Sequence, residues 1–172
     1  MLKEFSENIP LNLNLSAEDF QNTLTRDFII LIHENCGIDL TQSANSLTSL
    51  EIEKILITAR ETCNKIFANK YLSDEQKFFV VNALLCKIFE LWKISTIPEL
   101  FFIKIRDNFT PAQIVSAFSI YMNSIENFNW TAKFFVEHQN LLKTTNKKIK
   151  TIFIYGSLAR GGSLRMKIYL TE

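Results

Sequence analysis

Only four glycines and three prolines punctuate this chain of 172 residues, and three of the glycines fall between positions 156 and 162. Glycine and proline supply most tight turns, so a chain this poor in them is confined to long, uninterrupted elements. This argues against a sandwich or barrel, which needs a turn after every short strand. Hydrophobic residues make up 47% of the chain, including 15 phenylalanines, which supports a real core and argues against disorder. The expected fold is mainly α: a bundle of five or six helices with a C-terminal β-hairpin.

Capping residues and apolar spacing locate the helices. Ser16 caps a first helix that carries Phe20, Leu24, Phe28, Leu31 and Ile32 on one face, and Gly37 stops it. Ile38–Ser46 is polar and reads as a loop. A second helix runs from about Thr48 to Asn69, with Ile52, Ile55, Leu56, Ala59, Cys63, Ile66 and Phe67 as its buried stripe. Ser73 and Gln76 form a capping box for a third, which carries Phe78, Val81, Leu85, Ile88, Phe89 and Trp92. Phe79, Leu84 and Leu91 lie on its other faces, so this helix is expected at the centre, packed on several sides.

Thr96 is read as the cap of a short fourth helix with Pro98 in its first turn, although the apolar run Leu100 to Ile105 also suits a strand. Thr110-Pro111-Ala112-Gln113 opens a fifth, carrying Ile114, Val115, Phe118, Tyr121, Met122 and Ile125. A sixth begins near Asn129, with Trp130, Phe134, Phe135, His138, Leu141 and Leu142. The starts at Leu72-Ser73 and Phe109-Thr110 are alike through shared capping chemistry rather than through a repeat. The period then drops to two at Ile152–Tyr155 and Leu164–Leu170, which predicts two strands. The expected organisation is an N-terminal arm (1–14), a helical bundle (15–146) and a basic hairpin segment (147–172) packed on the bundle, since a lone hairpin is marginal in water.

Charge is unevenly spread. Residues 1–100 carry 9 basic and 14 acidic side chains, a net of −5, whereas residues 101–172 carry 10 basic and 4 acidic, a net of +6. Lys143, Lys147, Lys148, Lys150, Arg160, Arg165 and Lys167 hold most of the excess. Lys147, Lys148, Lys150, Arg165 and Lys167 are the candidate partner-binding residues, suited to phosphate, an acidic protein or an anionic surface. A solvated edge hairpin guarded by lysine is the plainer reading of the same residues.

Cys36, Cys63 and Cys86 are odd in number and widely spaced, with no Cys-x-x-Cys, so neither a zinc site nor a disulfide framework is expected. Free thiols suit a reducing cytoplasm. The N-terminus has no apolar run after its first lysine, so no signal peptide is expected. No stretch reaches the roughly 20 apolar residues of a membrane helix. Export by a specialised secretion system stays compatible with both points. Richness in Lys, Asn, Ile and Phe suits an AT-rich bacterial genome.

Two local patterns carry chemistry. Arg26 and His33 lie seven residues apart, on one helix face two turns apart, and this Arg–His spacing resembles the motif of the helical HEPN ribonuclease family. The resemblance implies RNA cleavage in a dimer cleft. Read alone, His33 is a helix-end histidine placed beside the C-terminal carbonyls. The second pattern is Ile152-Phe153-Ile154-Tyr155-Gly156-Ser157-Leu158-Ala159-Arg160-Gly161, followed by a second alternating run. It resembles the opening of the nucleotidyltransferase fold, an apolar strand, Gly-Ser, Arg-Gly and a strand bearing two acids. The resemblance implies that Gly156 and Ser157, with Arg160 and Gly161 beside them, contact nucleotide phosphates. Where that family places its metal-binding acids, this chain has Lys167-Ile168-Tyr169, and neither a lysine nor a tyrosine supplies the hard oxygen ligands that magnesium takes. Glu172 also follows too soon for the rest of such a fold.

No residue set is therefore assigned a catalytic or metal-binding role, and no cofactor is expected. Two functions remain open. The first is a non-enzymatic protein–protein interaction module: a bacterial adaptor, chaperone-like factor or exported effector, whose general character is similar to secretion adaptors and effectors of intracellular bacteria. The alternative is a degenerate nucleotidyltransferase-like or RNA-handling protein that binds phosphate at the Gly156–Gly162 loop.

Overall fold

Long helices with side-chain caps dominate the computed structural model, which describes residues 17–138, 141, 149–156 and 164–170. Seven helices lie among the described residues. The chain forms two compact units, Met1–Phe109 and Thr110–Glu172.

In the first unit, α1 (Ala17–Cys36) ends where expected: Gly37 takes φ 69° and its N–H bonds back to the His33 carbonyl at 2.9 Å. This is the left-handed stop that glycine adopts without strain. Ser16 lies outside the described residues, as does the side chain of Phe20. The segment expected as a polar loop, Ile38–Ser46, instead holds a single helical turn, α2 (Leu40–Ser43). Asp39 caps it, accepting from the Thr41 hydroxyl at 2.6 Å and the Thr41 N–H at 3.0 Å, and these bonds hold its carboxyl below the usual range. Ile38, Leu40 and Leu47 are buried, so three apolar residues pin a segment whose polar majority had suggested a loop.

Helix α3 (Ser49–Ala68) opens on a capping box. Thr48 Oγ1 accepts from the Glu51 N–H at 3.3 Å, and Glu51 Oε2 accepts from the Thr48 N–H at 2.8 Å. Ile52, Ile55, Leu56, Ala59, Cys63 and Ile66 are buried as the spacing predicts, but Phe67 is exposed. Helix α4 (Asp74–Ile94) starts with the expected Ser73–Gln76 box. It packs on α1, α3 and α5 (Pro98–Asn108), as expected of a helix covered on several sides, but α3 packs on α1, α4 and α5 as well, so the centre of this unit is shared by the two. Val80, Val81, Leu84, Leu85, Ile88, Phe89, Leu91 and Trp92 are all buried. Phe78, placed on the same stripe by its spacing, is exposed.

The run Leu100 to Ile105 is helical, with Phe101, Phe102 and Ile105 buried. Thr96 does not cap this helix. Ile97 occupies the cap position with no side-chain bond, while Ser95 Oγ accepts from the Ile97 N–H at 3.2 Å. Pro98 at the first helical position needs no N–H partner, so the start survives without a polar cap. Trp92 Nε1 donates to the Pro98 carbonyl at 3.0 Å, and its ring lies 5.6 Å from Phe102 and 6.2 Å from Phe89. One indole thus fastens the α4–α5 corner.

In the second unit, α6 (Pro111–Tyr121) opens on the Thr110–Gln113 box. It stops before Ile125. That residue begins α7 (Ile125–Glu137) and is largely exposed. Helix α7 therefore starts one turn earlier than Asn129, because Ser124 Oγ reaches the Asn127 N–H at 3.4 Å. Asn127 Nδ2 closes the turn on the Tyr121 carbonyl at 3.1 Å. Phe118 meets Phe135 edge to face, with centroids 6.3 Å apart. Trp130, Phe134 and His138 stack along one side of α7, at 5.4 Å and 4.5 Å. Helix α7 ends at Glu137, so Leu141 is not part of it, and Leu142 lies outside the described residues. Two strands follow, β1 (Ile149–Gly156) and β2 (Leu164–Leu170), paired antiparallel with each other.

Candidate functional site

The phosphate-loop candidates fall mostly beyond description. Gly156 ends β1 opposite Leu164, while Ser157, Arg160 and Gly161 lie outside the described residues, as do Lys147 and Lys148. The register places Arg165 opposite Tyr155 and Lys167 opposite Phe153. Lys150 sits at the break in register between Ile149 and Thr151. The same register pairs Ile152 with Ile168 and Ile154 with Met166.

The Arg26–His33 pair is exposed on α1. Arg26 lies beside its neighbour Asp27, with Nε and Nη2 each 3.4 Å from Oδ1. His33 is at the last turn, where its carbonyl accepts the Gly37 N–H.

Among the described residues, no cluster of three or more histidine, cysteine or acidic side chains could hold a metal ion. Burial pushes the Cys63 and Cys86 thiols up to about 12, assisted at Cys86 by the Glu90 carboxylate, so neither is a nucleophile at neutral pH. The one buried ammonium in the described helices belongs to Lys87. It donates to Thr25 Oγ1 at 2.8 Å and to Glu90 Oε2 at 3.1 Å, clamping α4 to α1. With both partners in place it is a structural tie, and the sequence carried no signal for it.

The outstanding surface feature is an aromatic corner where α3 turns into α4. Phe67 is in the last turn of α3, Tyr71 in the connecting turn, and Phe78 and Phe79 in the early turns of α4; all four are exposed. Asn69 Oδ1 accepts the Tyr71 N–H at 2.8 Å, which fixes the turn while the ring stands in water. The spacing had assigned Phe67 and Phe78 to buried stripes and had passed over Tyr71. Four aromatic residues within positions 67–79, on both sides of a capping box, were the available signal.

The chain matches no protein-family model, no curated protein and no solved structure. Among the described residues, no helix is long and apolar enough to cross a membrane.

Proposed function

We propose that this chain is a non-enzymatic protein–protein interaction module, such as a bacterial adaptor, chaperone-like factor or exported effector. The observation that carries this reading is the exposed aromatic corner of Phe67, Tyr71, Phe78 and Phe79. Clustered exposed apolar side chains mark interaction sites, and aromatic residues supply most of the binding energy at them. The C-terminal strand pair is read as a hairpin that packs on the bundle, with Lys147, Lys148, Lys150, Arg165 and Lys167 as a second contact surface for an acidic partner. The chain is placed in the cytoplasm, with export by a specialised secretion system as the other route. Affinity capture from the native cell tests this. A Phe67→Ser, Phe78→Ser variant should lose the partners held by the wild type. A Lys148→Glu, Lys150→Glu, Arg165→Glu variant that keeps every partner would remove the hairpin from the surface.

The second reading is a degenerate nucleotidyltransferase-like or RNA-handling protein, with phosphate held at Gly156, Ser157, Arg160 and Gly161. Its support is the strand register, which sets Phe153 opposite Lys167 and Tyr155 opposite Arg165, since aromatic rings beside cations suit single-stranded nucleic acid. A melting temperature unmoved by a large excess of ATP or RNA would discard it.

A further inference from the structure

We draw no further inference here: the strongest candidate, the surface patch of Phe67, Tyr71, Phe78 and Phe79 where α3 turns into α4, belongs to the site already described, and nothing in the structure shows what covers it.

Discussion

The two ends of α4 carry the same kind of residue and treat it in opposite ways. Near its start, Phe78 and Phe79 stand about half in water. Near its end, Phe89 and Trp92 are fully buried, ring against ring, with the indole N–H bonded to the Pro98 carbonyl. Intrinsic hydrophobicity does not separate these pairs. What separates them is whether a neighbouring element reaches that turn. At the far end α5 folds back onto α4 directly after the Ser95–Ile97 turn, and Phe102 packs against the indole. At the near end the chain leaves α3 through an exposed turn. An aromatic excess in a sequence is therefore shared between core and surface, and only the surface share is available to a partner.

The contrast can be tested from its strongest consequence to its weakest. Trp92→Ala should cost about 3–5 kcal/mol, measured by urea unfolding, because it empties a packed site and strands the Pro98 carbonyl. The same loss of ring at the corner should cost far less, and equal costs at both ends would erase the distinction. Next are the thiols on the buried side. At pH 8 native Cys63 and Cys86, pushed to about 12 from an ordinary 9.0, should be alkylated on the order of a thousandfold more slowly than a free thiol. Denaturant should abolish the difference, and fast native labelling would show that this side opens readily.

Smaller effects belong to the start of α4 and to the helix before it. Ser73→Ala removes the acceptor of the Gln76 N–H and should cost about 1 kcal/mol. At the Thr48 box, the backbone N–H and hydroxyl of Thr48 hold the Glu51 carboxyl below its ordinary 4.5. A lowered folded value means stability that is present above about pH 4.5 and lost as pH falls through the folded value. Glu51→Gln should flatten that part of the acid-stability curve, by a small amount because the group is in water. Least of all, Tyr71→Ser should move the stability by no more than about 0.5 kcal/mol. A larger loss would mean that the ring is packed in solution and that the corner is not a free surface.

Helix starts were legible in the sequence wherever a polar cap and its partner are local. Ser73–Gln76 and Thr110–Gln113 each span three residues, and the bonds that make them need no other part of the molecule. Gly37 was legible for the same reason: only its own backbone conformation is involved. Thr96 and Asn129 misled because a competing local solution won. Pro98 starts α5 without a side-chain cap, and Ser124 captures the Asn127 N–H a turn before Asn129. The α2 turn was hidden because Asp39 caps only four residues, too few for a period to register.

The surface was much less legible. Ile66 and Phe67 are neighbours of similar hydrophobicity, yet one is buried and the other half in water. Helical spacing limits which residues share a face but does not say how far along the helix the neighbouring element extends. Lys87 reads as a solvated lysine in the sequence, and its burial depends on Thr25, 62 positions away. The sequence by itself determined the helical class, the capped starts of α3, α4 and α6 and the stop at Gly37, because those depend on bonds closed within a few residues. The tertiary structure alone decided which aromatic rings form the core and which form the corner. That choice depends on the reach of helices distant in the chain, and no local pattern encodes it.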